Sequence, residues 1–348
     1  MKRIILTTLV ATTLAMATMP AIADSNTTDL RFYGILREFM DHDSVKGGPT
    51  TNQPGIKLTS FMSRLGISVT ESLDDVTPGL KARAIIETAM YPDAPTVGQN
   101  QTPTRSTMIG NDKAIIGFFK DGVGSIDFGR QPQGVWAIMS KYGATGDLFG
   151  TPEGEIHNRR GMRLNDAVYT QLDLGSGVTV GWQEAFSQVQ NIASTNVYTA
   201  GYTYQNLNIN AAYYDADNIN KTSIIGASYL FPTNTKVSMI VSNDKVPMTT
   251  VGGVVPTKSA TTGISVNVNQ TLTEKWSVQA GAGHRDDGVT TESVGANYKL
   301  SKAMTLQARA QHVGADHVIM MSTANELQGV AGTARTEVGL GLEWKFGN

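Results

Sequence analysis

Apolar and polar residues alternate along much of the chain. In the segment 337–346, glycines or charged residues separate five apolar side chains at every second position, which are Val338, Leu340, Leu342, Trp344 and Phe346. Because successive side chains of a strand point to opposite faces, this pattern predicts a β-strand with one apolar and one polar side. The same alternation recurs at 80–87, 262–270 and 276–284.

The two faces of these predicted strands argue against a soluble fold. The apolar sides carry few large apolar residues, and the opposite sides carry Gly, Ala, Ser, Asn, Gln and charged residues. A β-sandwich, dissolved or anchored as an adhesin, would need inner faces rich in Leu, Ile and Phe to fill its core. A barrel in a bilayer needs only a modest apolar band outside, and its interior is polar and wet. The mean hydropathy of −0.16 fits the barrel.

Sixteen such segments can be placed along the chain, and bacterial barrels have even numbers of strands. They lie near residues 29–42, 58–71, 80–90, 111–120, 123–130, 161–172, 178–188, 196–205, 207–216, 222–231, 236–245, 260–270, 276–285, 290–300, 304–313 and 335–346. Short links alternate with long ones, as expected for tight turns at one rim and longer loops at the other. The long links are 43–57, 91–110, 131–160, 246–259 and 314–334. We therefore predict an all-β, transmembrane antiparallel β-barrel that forms one domain, residues 24–348.

Residues 1–23 have the composition of an export signal. A basic pair, Lys2-Arg3, precedes an apolar stretch over 4–17, and Ala21-Ile22-Ala23 forms a small-x-small cleavage site. These features predict a cleaved secretory signal peptide and a mature chain that starts near Asp24. An uncleaved membrane anchor is the alternative, but the apolar stretch is shorter than the roughly 18–20 residues that cross a bilayer.

Charge and composition exclude several functional classes. Lys and Arg number 28 against 30 Asp and Glu, so the chain lacks the basic excess that a generic nucleic-acid binder needs. The absence of cysteine rules out thiolate metal sites, cysteine nucleophiles and disulfides. The five histidines show no metal-ligand spacing, and neither a Gly-x-Ser-x-Gly elbow nor a phosphate-binding loop occurs. We expect no cofactor, no resident metal, no nucleic-acid partner and no enzymatic activity.

Several segments resemble the general Gram-negative porins in their order and spacing. The first is Phe61-Met62-Ser63-Arg64-Leu65-Gly66-Ile67, followed by Glu71, Gly79-Leu80-Lys81-Ala82 and Glu87. The second is Gly124-Ser125-Ile126-Asp127-Phe128-Gly129-Arg130-Gln131, whose Gly-Arg-Gln resembles the start of the family's constriction loop. The third is Arg163-Leu164-Asn165-Asp166-Ala167-Val168-Tyr169, which is similar to the strand after that loop. The resemblance covers residues 29–180 and the final strand, whereas only the rhythm of strands supports it between 190 and 330.

The resemblance implies an outer-membrane porin, a water-filled channel for passive diffusion of ions and small hydrophilic solutes. The link 131–160 would be a third loop that folds into the lumen, where opposed charges on loop and wall bias ions by sign. The residues expected to line the constriction or the lumen are Arg64, Lys81, Arg83, Glu87, Asp112, Asp147, Glu153, Glu155 and Arg163. The same loop carries Trp136, Lys141, Phe149, Arg159 and Arg160. The implied partners are outer-membrane lipid, the assembly machinery of that membrane and, in a homotrimer, copies of the chain itself.

Two positions depart from the family pattern. Asp112 stands where the family usually has an arginine that faces the pore, so we expect its carboxylate to push selectivity toward cations. Gly347-Asn348 follow Phe346, whereas the family normally ends on its aromatic residue, which is an assembly signal.

Two other functions stay open at this point. A substrate-selective channel of similar build would need aromatic side chains or a binding cluster along its pore, and aromatic residues make up only 7% of the chain. An outer-membrane β-barrel protease carries Asp and His pairs at the outer rim. The pairs at predicted strand ends are Asp41-His42, Asp286-Asp287 and Asp316-His317. Because Asp and His are ordinary residues at wet strand ends, the porin is the leading interpretation.

Overall fold

The fold is all-β. The computed structural model describes residues 28–46, 55–59, 63–90, 110, 112–143, 156–157, 163–186, 194–216, 220–245, 260–314 and 334–347. In these ranges the strands are β1 (Thr28–Lys46), β2 (Gly55–Thr59), β3 (Ser63–Ser72), β4 (Leu80–Met90), β5 (Lys113–Lys120), β6 (Gly124–Pro132), β7 (Arg163–Gly175), β8 (Val178–Ala185), β9 (Thr195–Tyr204), β10 (Leu207–Ala216), β11 (Asn220–Leu230), β12 (Thr235–Lys245), β13 (Ala260–Thr271), β14 (Trp276–Arg285), β15 (Thr290–Lys299), β16 (Met304–Val313) and β17 (Ala334–Phe346). Helix α1 (Gly134–Tyr142) follows β6 and precedes β7.

The strands form a single antiparallel sheet that closes on itself. From β3 to β17, each strand pairs with its neighbour in sequence, and β1 pairs with β17 on one edge and with β2 and β3 on the other. Ile35 marks the closure, because it lies opposite Lys345 of β17 and opposite Arg64 of β3. β2 and β3 pair with successive parts of β1 and together occupy one position in the barrel. The prediction of sixteen strands is therefore confirmed.

The two faces of the sheet differ as the alternation predicts. On β11, Ile224 is 1% exposed and its neighbour Ile225 is 55% exposed, because one points into the barrel and the other points out. Outward-facing apolar side chains recur around the barrel and include Leu30, Phe32, Leu65, Ile67, Ile116, Phe118, Val266, Val268, Leu340 and Leu342. Buried inward-facing side chains are largely polar and include Ser228, Ser238, Ser242, Asn267, Thr291, Ser293, Gln307 and Gln311. An apolar exterior and a polar interior are the faces that a barrel in a bilayer requires.

Short turns close one rim of the barrel. The strands run up and down, so every second connection lies at the same end, and the connections at 121–123, 176–177 and 205–206 are two or three residues long. Three aromatic pairs lie on strands beside this rim, namely Tyr229–Phe231, Trp276–Tyr298 and Trp344–Phe346, with ring centroids 4.8, 4.7 and 5.4 Å apart. Rings at this level form the aromatic girdle that bounds the lipid-facing band of a membrane barrel. The described part of the chain contains no helix with the length and hydropathy that a bilayer crossing requires.

Candidate pore constriction

Helix α1 lies inside the barrel against the inner wall. It begins after Gln133, whose side-chain carbonyl accepts a hydrogen bond from the Val135 N–H at 2.9 Å. Its apolar face consists of Val135, Trp136, Ile138, Met139 and Tyr142, which pack in one buried cluster with Leu164, Ala167, Val197, Ala212, Ile224 and Ile240. The wall residues of this cluster come from β7 and β9–β12, so the helix covers that side of the lumen.

A glycine allows the helix to approach the wall closely. A Cβ atom at Gly226 of β11 would lie 2.2 Å from Cδ2 of Tyr142 and 2.9 Å from Cγ2 of Ile138. Atoms cannot approach this closely, so a larger side chain at Gly226 would push α1 toward the pore axis. The lack of a side chain at Gly226 therefore determines how close α1 lies to the wall and how much of the lumen it occupies.

The same connection touches the wall again at Ile156 and His157. Ile156 packs with Val289 and Val313 in a second buried cluster. Nδ1 and Nε2 of His157 each lie 2.8 Å from a serine hydroxyl, of Ser242 on β12 and Ser265 on β13. Burial lowers the pKa of the His157 imidazole to about 3, and the positive charge of Arg285 acts in the same direction. The two described parts of the connection between β6 and β7 therefore both lie against the inner wall.

Four of the predicted lumen residues form one charged cluster on the wall of β3, β4, β5 and β7. Arg64 Nε lies 3.6 Å from Glu87 Oε2, and Arg64 Nη1 lies 3.8 Å from Asp112 Oδ2. Arg163 donates to the Asp112 carboxylate, and its Nε donates to the Asp112 carbonyl oxygen at 2.9 Å. Two arginines thus alternate with two carboxylates, and each carboxylate is within reach of an arginine.

The other two predicted wall residues also have acidic partners. Arg83 Nε donates to Asp127 Oδ1 of β6 at 2.8 Å, and Asp127 is buried. Lys81 Nζ donates at 2.9 Å to Asp121 in the exposed β5–β6 turn. Asp127 was not among the residues singled out from the sequence, although it lies on the inward parity of β6 with Ser125.

The three acids predicted on the loop lie outside the described residues. These are Asp147, Glu153 and Glu155. Of the remaining loop residues, Trp136 is buried in the cluster under α1, and Lys141 is exposed in the last turn of that helix. Phe149, Arg159 and Arg160 lie outside the described ranges as well. A field between loop acids and wall bases stays a prediction.

Charged residues also line the wall of β14–β17 and β1, which the sequence-based prediction missed. Arg37 pairs with Glu343, Arg285 pairs with Asp287, and Gln311 donates to the Glu337 carboxylate. The alternation of β17 already places Glu337 and Glu343 opposite its apolar face. The alternation of side chains along β17 therefore already indicated that Glu337 and Glu343 face the lumen.

The residue pairs considered for a protease do not assemble in the described residues. Asp287 makes a two-armed ion pair with Arg285. His42 is exposed and pairs with Val338, whose side chain faces outward. The side chain of Asp41 and the whole of Asp316-His317 lie outside the described part of the chain. Within that part, no group of three or more His, Asp or Glu side chains is arranged to hold a metal ion.

A closed antiparallel barrel with an apolar outside, a charged inside and a helix packed within it has the architecture of an outer-membrane channel. The sequence agrees with this class, because residues 10–318 match the Gram-negative porin family. The chain belongs to that family. None of the curated proteins matches the chain significantly.

Solved structures of channels share the fold. The anion-selective porin from Comamonas acidovorans superposes with a TM-score of 0.72 at 16% identity, covering 92% of this chain and 100% of that one. The trimer form of OmpT, an outer-membrane protein of Vibrio cholerae, gives a TM-score of 0.63 at 16% identity over 92% of this chain and 100% of the other. OmpF of Salmonella typhi, in complex with daunomycin, gives 0.63 at 16% identity over 92% and 97%. Family and fold together make the protein an outer-membrane channel for passive diffusion, as predicted.

Proposed function

We propose that the protein is a general diffusion channel with mild ion selectivity. Both the size cutoff and the selectivity are determined where α1 faces the charged wall. The main support for this proposal is the position of two features in the barrel. Helix α1 covers the inner side of β9–β12, and the Arg64–Glu87–Asp112–Arg163 cluster lies on the wall of β3–β7. In a barrel of sixteen strands, β4 and β11 are close to half a circumference apart. Solutes therefore pass between the helix on one side and the cluster on the other, and this gap sets the size cutoff.

The selectivity is mild because most charges on this wall are paired, although Lys113 of β5 adds a cation beside Arg83, Asp127 and Glu87. Arg64 and Arg163 oppose Glu87 and Asp112, and Arg83 opposes Asp127. Paired charges within a few ångströms cancel at distances beyond a Debye length, which is about 8 Å at physiological ionic strength. Such a wall orients dipolar solutes that pass close to it but excludes neither sign of ion. Asp112 contributes a carboxylate to this wall, and its removal is expected to favour anions.

We further propose that the protein is not an enzyme. Support comes from the pairing of Asp287 with Arg285, since a catalytic carboxylate at the rim would have to be available to a water molecule or a histidine. The test is turnover of a fluorogenic peptide by the purified protein. Hydrolysis that is lost on Asp286→Ala or His317→Ala would overturn this part of the proposal.

Family membership also supports a proposal about export and assembly. We propose that residues 1–23 are removed as a signal peptide, that the mature barrel crosses the outer membrane many times, and that three copies associate. The support for a trimer is that the similar OmpT structure is described as a trimer form. Mass spectrometry of the mature N-terminus tests the cleavage at Asp24, and native mass spectrometry in detergent tests the trimer.

Single-channel recording of the purified protein in planar bilayers tests the proposed channel most directly. We expect stepwise conductance in groups of three, a reversal potential close to zero under a KCl gradient, and liposome swelling with small sugars that falls off steeply with solute size. Protein that produces no steps would contradict the channel. A current that a dilute single solute competes away would replace the general channel with a substrate-selective one.

A further inference from the structure

Two lysines meet on the inner wall at the end of α1. Lys236 Nζ, on β12, donates a hydrogen bond at 3.2 Å to the carbonyl oxygen of Lys141 in the last turn of the helix. Lys141 Nζ donates at 2.8 Å to Oδ1 of Asn210 on β10. Each ammonium group has three N–H donors, so both have donors left for a further acceptor. Lys141 is exposed and Lys236 is half-buried, so the pair is open to water in the lumen.

Among the described residues of β9–β13, no carboxylate lies close to this lysine pair. The inward-facing neighbours described on β10–β13 are neutral, namely Asn208, Asn210, Ser228, Ser238, Asn267 and Asn269. The one carboxylate that faces inward on the described parts of β9–β13 is Asp244. It lies eight residues along β12 from Lys236, a distance of about 26 Å at the usual rise per residue. Thr222 Oγ1 donates to it at 2.5 Å.

This arrangement differs from the opposite wall, where arginines and carboxylates alternate. The charge of Lys236 acts on the ammonium group of Lys141, and repulsion between two such groups grows when part of their hydration is lost. Burial and, after it, the charge of Lys236 hold the pKa of Lys141 below its usual value. An anion placed between the two groups would relieve the repulsion, and lysine binds phosphate or carboxylate oxygens as a compact point charge.

We propose that Lys141 and Lys236 form an anion subsite in the lumen, which takes small divalent anions that carry phosphate or carboxylate oxygens. The inference rests on the proposed diffusion channel and adds a preference to it. The site lies near the short-turn rim, because Lys236 is the second residue of β12 and the turn at 232–234 precedes that strand. Binding there is weak, since a channel must release what it binds, and the subsite raises the local concentration of such anions along the path.

Current block by inorganic phosphate tests the subsite. We expect phosphate to reduce the chloride current through the wild-type channel in planar bilayers, more effectively from the short-turn side. In Lys141→Gln and in Lys236→Gln, the phosphate concentration that halves the current should rise at least about fivefold, the effect of one unit charge about 4 Å from a monovalent anion in water, and further for the divalent form. Lys236→Arg, which keeps the charge, should stay close to wild type. Succinate should repeat the pattern if carboxylate oxygens are accepted equally.

The matched control is Lys299→Gln, which removes an inward-facing lysine at the same rim on β15. It should shift the reversal potential slightly toward cations without changing the half-blocking phosphate concentration. Circular dichroism of each variant in detergent verifies the β-barrel. Phosphate block that is equal in wild type and in both Lys→Gln variants would overturn the subsite while leaving the channel intact. A failure of all variants and of wild type to conduct would instead remove the proposed channel and the subsite with it.

Discussion

Arg37 of the first strand and Glu343 of the last strand form a buried ion pair across the closure of the barrel. Arg37 Nε donates to Glu343 Oε2 at 2.7 Å, and the two residues are 6% and 5% exposed. They lie directly opposite each other in the β1–β17 ladder. The pair therefore holds together two strands that are about 300 residues apart in sequence, at the seam where the sheet becomes a cylinder.

Loss of one partner of this pair should weaken the barrel. In Glu343→Ala, the guanidinium of Arg37 stays buried without this carboxylate, and the loss of one partner of a buried ion pair costs about 3–5 kcal/mol. We expect a lower midpoint in urea unfolding in detergent, followed by tryptophan fluorescence. The matched control is Lys345→Ala, because the partly exposed Lys345 also contacts Glu343, at 2.9 Å, and its loss leaves Glu343 paired with Arg37, at a cost of about 1 kcal/mol or less. Equal midpoints for the two variants would show that the seam does not depend on Arg37.

The approach of α1 to β11 predicts the effect of a small substitution on the pore. In Gly226→Ala, the new Cβ would overlap the ring of Tyr142, so the helix must shift toward the pore axis. Overpacking of this kind costs about 1–3 kcal/mol, and we expect a smaller single-channel conductance in KCl. Ala227→Val, the adjacent change on the outer face, should leave conductance unchanged. A conductance that rises in Gly226→Ala would show that the helix detaches instead of shifting.

The buried imidazole of His157 predicts that acid loosens the inward connection. Its pKa of about 3 in the folded protein lies below the ordinary value of 6.5, so the folded state favours the neutral ring. The contribution of this ring to stability is complete above about 6.5 and falls by about 1.4 kcal/mol per pH unit as the pH drops toward 3. The groups that face the ring are Ser242, Ser265 and the positive charge of Arg285. We expect more frequent current fluctuations at pH 4 than at pH 7.

The control for this pH effect is His157→Gln, since an amide can pair with both serines and does not titrate in this range. The variant should show the same noise at both pH values. Fluctuations that increase equally in wild type and in His157→Gln would assign the acid response to other groups.

Asp112 should influence ion selectivity despite its arginine partners. Asp112→Asn leaves Arg64 and Arg163 with one carboxylate fewer, so the wall gains one positive charge. We expect the reversal potential under a KCl gradient to shift toward anions, by about twofold in permeability ratio for a partly screened charge. Asp121→Asn, at the exposed β5–β6 turn, should shift it less. An unchanged reversal potential in Asp112→Asn would contradict the predicted cation bias of this position.

The two-residue period of apolar and polar side chains predicted most of the fold, because each strand of a barrel wall points its side chains alternately outward and inward. Strand number, outer face and polar interior all followed from parity, and the structure and family confirm them. The alternation could not identify contacts between side chains of distant segments, because it does not show which segments lie close together across the lumen. Lys141 and Lys236 are 95 residues apart in sequence and meet only through the position of α1.

The position of Asp112 just before β5 explains why strand alternation does not predict the direction of its side chain. Strict alternation from Ala114 and Ile116, which face outward, would direct Asp112 outward as well. The residue precedes β5, however, and its carboxylate meets Arg64 and Arg163. Its place was predicted from the family pattern, and periodicity alone would have misplaced it. The loop acids Asp147, Glu153 and Glu155 stay predictions.

The pairing of β1 with β17 also has a consequence for biosynthesis. A growing chain that has not yet produced residues 334–346 has no partner for residues 34–46, so both edges of the partial sheet remain open. Open edges recruit other strands and lead to aggregation. We therefore expect that a nascent chain must be protected from pairing with other chains until its final segment is present, and that a product ending before residue 334 keeps both edges open.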